Sequence, residues 1–169
     1  MDQFNQMLQK ASRSSFYRML LNMGLWKKIP FNKPHGFRIT RILEHGFEIT
    51  MPYKRNNLNH IKGLHACGLA TLSEYVAGLT LLRKIGATEY RLIMESLQMK
   101  YFYQAKMDVS VQFELDDTWV EEQVRKPLKN QDSVLVELTT HIYDKQKNHI
   151  CTGTTCWQVK PWSKVKTKV

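Results

Sequence analysis

The segment from Leu64 to Leu82 constrains the fold more than any other. Leu64, Cys67, Leu69, Ala70, Leu72, Val76, Ala77, Leu79, Leu81 and Leu82 make a helix that is apolar nearly all round. Such a helix must be buried on most sides. It also carries His65 and Glu74, which argues against a membrane span. Arg83 and Lys84 suit a helix C-terminus, and Gly86 supplies the stop. A chain of 169 residues holds a single core, so the other elements are expected to wrap this helix.

Those elements read mainly as strands. Phe37 to Leu43 is strand-like and is followed by a His45-Gly46 turn. In Phe47 to Tyr53 apolar and other residues alternate, with Pro52 marking an edge or strand end. After an Asn-rich polar loop and the central helix come Arg91 to Tyr103 and the alternating Val109, Val111, Phe113 and Leu115. Asp116 to Lys126 predicts a short surface helix ended by Pro127. Ser133 to Tyr143 and Ile150 to Val159 predict a hairpin about Asp144 to Asn148. One antiparallel sheet over one apolar helix is the economical packing, an α+β fold. Ahead of it, Gln3 to Trp26 has helical spacing (Phe4, Met7, Leu8, Ala11; then Phe16, Met19, Leu20, Met23), stopped by Pro30 and Pro34. The expected organisation is a helical extension over 1–35, the main domain over 36–162 and a basic tail over 163–169. The extension is read as packing on its own domain or a partner subunit, with a membrane surface as the alternative.

Charge and cysteines narrow the function less. The net charge of +10 attracts anions such as nucleic acid, an anionic membrane surface or a phosphorylated cofactor, but the cations are dispersed in local clusters, as on a solvated surface. Cys67, Cys151 and Cys156 form no paired framework and read as reduced thiols in a cytoplasmic protein. The N-terminus does not resemble a signal peptide, no confident membrane span is expected, and no metal-ligand spacing is present. His45, His60, His141 and His149 read as surface or structural residues, and Cys67 as core.

Glu74 is the anomaly: it is the only acid from Ile61 to Thr88 and sits mid-helix among residues that should be buried. A buried carboxylate without a partner is costly and needs a reason. The reason is either an exposed stripe, a structural ion pair or a site. Upstream, Asn59-His60-Ile61-Lys62-Gly63-Leu64-His65-Ala66 leads a loop into the helix. Free N–H groups at a helix start favour developing negative charge, as an oxyanion hole does. Gly63 permits a tight entry, and Asn59 is read either as a donor to substrate or water, or as a turn residue.

Taken together, Asn59, His65-Ala66 and Glu74 resemble the signature of hot-dog thioesterases of the phenylacetyl-CoA thioesterase type. In that family an Asn precedes a His and a small residue by six positions, and an acid follows nine positions after the His. Gln104-Ala105-Lys106 stands where the family has a turn after the long strand. The resemblance runs from Phe37 to Trp162 in element order and implies a hot-dog fold, a long central helix wrapped by a bent antiparallel sheet. The helical extension resembles that of an uncharacterised branch.

The resemblance further implies an acyl-CoA thioesterase. Glu74 would be general base for water, or a nucleophile forming a mixed anhydride. The Ala66 N–H would polarise the thioester carbonyl, Asn59 would orient water or substrate, and His65 would support the loop or the thiol side. Ser96 would assist from the following strand unless Met94 holds that position. Gly63, Cys67, Lys54, Arg55, Lys62 and Lys106 would contact substrate, the cations meeting CoA phosphates. Ala66 and Cys67 replace commoner glycines, and Glu74 replaces a commoner Asp. No cofactor is expected beyond the coenzyme A of the substrate, which is an acyl-CoA or an acyl-carrier thioester.

Spacing adds an independent constraint. Eight residues separate Ala66 from Glu74, about 12 Å along a helix axis, so one thioester carbon cannot touch both. If both act on one substrate they come from different chains, and a homodimer or homotetramer is required. The rival readings are a non-catalytic acyl-CoA binder, a dehydratase using His65, and a basic nucleic-acid-binding module, which explains the charge but not Glu74. No nucleic-acid partner is expected.

Overall fold

The computed structural model describes residues 3–166; Lys168 and the end of the expected basic tail lie outside the described residues. Two helices, α1 (Gln3–Arg13) and α2 (Ser15–Lys28), precede a short α3 (Asn32–His35). Strands β1 (Arg38–Ile42) and β2 (Gly46–Met51) lead to the long α4 (Ala66–Ile85). Then follow β3 (Tyr90–Tyr101), β4 (Val109–Glu114), β5 (Val134–Asp144) and β6 (His149–Pro161). The six strands form one sheet in the order β1-β2-β4-β5-β6-β3, every neighbouring pair antiparallel.

The sheet packs on α4. Leu69, Leu72, Tyr75, Val76 and Leu79 meet Phe47, Ile49, Met51, Val109 and Val111 in one buried cluster. Ala77, Leu81 and Ile85 meet Val136, Leu138, Trp157 and Val159 in a second. β5 shows the alternation that such packing demands, with Val134, Val136, Leu138, Thr140, Ile142 and Asp144 buried and the residues between them exposed. Gly153 of β6 lies where an added Cβ would run into Ser73 of α4, so the helix approaches the sheet closely there. Ser73 Oγ and Thr140 Oγ1, both buried, satisfy each other at 2.6 Å.

The expected single N-terminal helix is two. Ser14 has an extended backbone (φ −139°, ψ 126°) and breaks the run; serines compete for backbone bonds and interrupt helices. Arg18 Nη1 donates to the Ala11 carbonyl at 3.0 Å, closing the end of α1. The extension packs on its own domain through Leu8, Ala11 and Leu21. Its polar intruder, Asn22, accepts from the Ile39 N–H at 2.7 Å and donates to the Ile39 carbonyl at 3.1 Å. Trp26 Nε1 donates to the Phe37 carbonyl at 2.6 Å. α2 therefore covers the outer edge of β1, which would otherwise present unpaired backbone.

One further boundary differs from expectation. After β4 the chain caps a helix with Asp116, which accepts from Trp119 N–H at 2.6 Å, but the helix does not end before Pro127. It runs Asp117–Val120, passes through a π-helical turn Glu121–Arg125, and continues through Lys126–Leu128. The irregular turn accommodates a residue without an N–H. At the start of the sheet, Arg83 donates to the carbonyls of Leu43, Glu44 and Gly46 at 2.8–3.0 Å. Its role is thus to hold the β1–β2 turn as well as to suit the helix terminus.

Candidate active site

The loop before α4 is shaped by Asn59. Its Oδ1 accepts from the N–H groups of Ile61 (3.1 Å) and Gly63 (2.9 Å), and its own N–H donates to the Gly63 carbonyl at 2.8 Å. This is turn chemistry, and it commits the side-chain oxygen. The amide NH2 has no partner among the described residues. Lys62 takes a left-handed conformation (φ 58°) in this turn. Gly63 is buried against Gln104, where an added Cβ would collide, and Leu64 N–H donates to the Ala105 carbonyl at 2.9 Å. The expected turn Gln104-Ala105-Lys106 thus lies against the loop that enters α4.

His65 is the N-cap of α4: its Nδ1 accepts from Cys67 N–H at 3.1 Å. The ring therefore supports the helix start, and its neutral form carries the proton on Nε2. The next residue, Ala66, is the first of the helix. Its N–H has no acceptor among the described residues, as expected for a first-turn donor. Ala66 lines a cleft of about 320 Å³ together with Asn59, Leu64, Leu69 and the run Tyr101 to Ala105. A free amide at the positive end of a 20-residue helix is able to stabilise negative charge on an oxygen brought to it.

Tyr101 also belongs to this region, although nothing in its sequence context marks it. Its Oη donates to the Ala66 carbonyl at 3.0 Å, and burial raises its pKa. Tyr101, Phe102 and Tyr103 are all substantially exposed and all line the cleft. Strand alternation stops at Tyr101: Phe102 and Tyr103 both donate their N–H groups to the Ile150 carbonyl. Phe102 turns its ring to His149, with centroids 4.8 Å apart.

Glu74 lies two turns further along α4. The partly exposed side chains Ala66, Cys67, Ala70, Thr71 and Glu74 fall on one stripe, and beyond Glu74 the helix is closed over, for instance by Trp157 on Gly78. The Glu74 carboxylate is half-buried with no hydrogen bond or ion pair among the described residues. Burial raises its pKa, because no nearby cation or donor repays the lost hydration. It does not line the cleft at Ala66, in keeping with the 12 Å expected from about 1.5 Å per residue.

The remaining residues divide by position. Cys67 is exposed, not core, and lines a separate cleft of about 220 Å³ with His35, Met51, His65 and Thr71. Lys62 and Lys106 stand on the two loops that meet at the main cleft. Lys54 and Arg55 do not line the cleft, and Lys54 approaches Gly36. The structure does not bring Ser96 to the site. A bulge between Met94 and Ser96 resets the alternation of β3, so Met94 pairs with buried Trp157 but Ser96 pairs with Cys156. Paired residues share a face, and Cys156 is on the face away from α4, its thiol donating to exposed Glu95 at 3.3 Å. Among the described residues no group of three or more His, Cys, Asp or Glu could hold a metal ion, and no helix is long and apolar enough to cross a membrane.

The fold, a six-stranded antiparallel sheet on one buried helix, has counterparts among solved structures. A Pseudomonas aeruginosa protein of unknown function, described as a "Probable Thioesterase", superposes with a TM-score of 0.76 at 24% identity, covering 85% of this chain and 95% of that one. A Haemophilus influenzae thioesterase gives a TM-score of 0.59 at 13% identity, covering 77% and 82%. A variant of a Staphylococcus aureus thioesterase gives 0.59 at 13% identity, covering 78% and 98%. At these identities the likeness establishes the α+β fold. No curated protein matches the chain. The chain belongs to the family described as "Domain of unknown function (DUF4442)", whose model matches residues 18–159.

Proposed function

We propose that this protein is a hot-dog-fold acyl-CoA thioesterase whose site is completed by a second copy of the chain. One observation carries the reading. α4 holds a free amide at a cleft and an unpaired, half-buried carboxylate, too far apart to serve one carbonyl within a chain. β3 supports the same reading. It is 12 residues long, mostly exposed, and hydrogen-bonded only to β6, which leaves an open edge of the kind that pairs with another strand. Antiparallel pairing of two β3 strands about a two-fold axis normal to the sheet keeps both α4 helices on one face and runs them in opposite directions. Glu74 of one copy then approaches Ala66 of the other.

In such a site the thioester oxygen accepts from the Ala66 N–H. Glu74 takes a proton from water as the water oxygen attacks the carbonyl carbon. The tetrahedral intermediate expels the CoA thiolate, which recovers the proton, leaving a carboxylic acid and free CoA. The raised pKa makes Glu74 a stronger base than an ordinary carboxylate. Attack by Glu74 itself, through a mixed anhydride, uses the same geometry. Asn59 offers its free amide to substrate or water, and Lys62 and Lys106, on the two loops that meet at the cleft, would meet CoA phosphates, with Lys54 and Arg55 as further candidates. Ser96 faces away and takes no part. His65, with Nδ1 engaged, is poorly suited to act as a dehydratase base. The unpaired cysteines fit a cytoplasmic setting.

Thiol release from short, long and aromatic acyl-CoAs, measured for wild type and Glu74→Gln, tests the reading. Hydrolysis unaffected by the substitution removes Glu74 from the mechanism. Retained CoA binding without hydrolysis of any substrate favours the acyl-CoA binder.

A further inference from the structure

The N-terminal helices carry a surface that the proposed site does not use. On α2 the side facing the domain contains Leu21, Asn22 and half-buried Leu25. Phe16, Met19 and Met23 recur at i, i+3 and i+7, which places them together on the opposite side. They are 58%, 52% and 54% exposed. Ile29 and Phe31, just beyond the helix, are 37% and 62% exposed. α2 is therefore apolar on two sides, and only one is covered.

Charge identifies what would cover the other. Residues 3–36 contain six cations (Lys10, Arg13, Arg18, Lys27, Lys28 and Lys33) and no Asp or Glu. None of the six makes an ion pair among the described residues. Arg13 lies at one end of the stripe, and Lys27, Lys28 and Lys33 lie at the other, all exposed. A second copy docked face to face would set these cations against their own equivalents. A nucleic acid would meet the charge but leave the apolar stripe uncovered. An anionic lipid bilayer meets both demands, with headgroups for the lysines and acyl chains for Phe16, Met19 and Met23.

We infer that α2 is a docking face for the surface of an anionic membrane, on which the protein sits peripherally. The face lies beside β1, at the opposite end of the sheet from β3, so pairing of β3 edges leaves it free. The inference does not depend on the thioesterase reading.

The test is sedimentation of the full chain with vesicles of phosphatidylcholine alone, or of phosphatidylcholine with one third phosphatidylglycerol. Binding to the mixed vesicles is expected to exceed binding to neutral ones at least about tenfold at low salt, and to weaken as salt rises. Joint replacement Phe16→Ser, Met19→Ser and Met23→Ser is expected to lower that binding about tenfold or more with little change in thermal midpoint, since all three are exposed. Lys27→Glu with Lys28→Glu, a variant that leaves the apolar side chains intact, is expected to do the same. Absence of binding to the anionic vesicles overturns the inference. So does binding that survives the loss of the apolar side chains, or a change in oligomeric mass of the serine variant without vesicles, which would assign the stripe to a second copy.

Discussion

Replacing Ala66 by proline removes one atom from the proposed chemistry, the amide hydrogen, and should remove little else. Ala66 is the first residue of α4, where proline is a favoured occupant because no intrahelical bond is lost. The preceding His65 is already extended (φ −70°, ψ 136°), the conformation that a following proline imposes. The Ala66 N–H has no acceptor to forfeit. Ala66→Pro should therefore shift the urea-unfolding free energy by no more than about 1 kcal/mol. Loss of one oxyanion donor lowers kcat by about 10²–10³, or roughly 2.7–4 kcal/mol of transition-state stabilisation. Steady-state thiol release on the best acyl-CoA, alongside urea unfolding, separates the two effects. A fall in kcat below about threefold would refute the role of this amide.

The same variant tests whether the site is shared. Ala66→Pro and Glu74→Gln homodimers each carry two broken sites. After mixing and reassociation, half the dimers are heterodimers, and each has one site with both native groups. Activity should rise to about one quarter of wild type. No recovery above the parents would mean that both groups act within one chain, which the length of α4 does not allow, and the mechanism would fail.

Three other outcomes follow from the structure. Because burial holds the Glu74 pKa above its ordinary value of 4.5, the folded state binds the proton more tightly than the unfolded state. Stability therefore falls as pH rises through the window between those values and is flat above it. Glu74→Gln should unfold at higher urea than wild type above that window and lose its advantage below it; a gap constant with pH would contradict the assignment. Asn22→Ala strands the buried Ile39 N–H and C=O, at about 1–3 kcal/mol each, so urea unfolding should show a loss of roughly 2–6 kcal/mol, and a loss under about 0.5 kcal/mol would deny the edge-covering role. Tyr101→Phe removes the 3.0 Å bond to the Ala66 carbonyl, and kcat should fall by about tenfold or less, a smaller effect than Ala66→Pro because the phenol acts on the backbone of the site.

Periodicity makes the main elements readable in the sequence. The all-round apolar run gave α4, and the alternation of β4 and β5 told which residues face it. What periodicity could not reveal was where the period resets. The bulge in β3 turns Ser96 outward although Met94, two residues earlier, points inward, and nothing in Met-Glu-Ser marks the extra residue. The end of β3 likewise hides Tyr101 to Tyr103, whose exposure depends on a bifurcated bond to Ile150 rather than on spacing. Asn59, His65 and Glu74 were visible because their types are unusual at a helix entry or mid-helix. Spacing alone did not reveal that Asn59 is half committed to its turn and that His65 caps the helix. Asn22 interrupts an apolar stretch for a reason found seventeen positions downstream, in the backbone of Ile39.

The sheet ends differently on its two sides. On the β1 side, Asn22 and Trp26 occupy backbone groups of Ile39 and Phe37; on the β3 side only β6 is engaged. A ribbon with a single adhesive margin can join one like neighbour and then has no margin left to offer. Growth by strand addition thus terminates at a pair, and the chain carries its own stop against fibre formation.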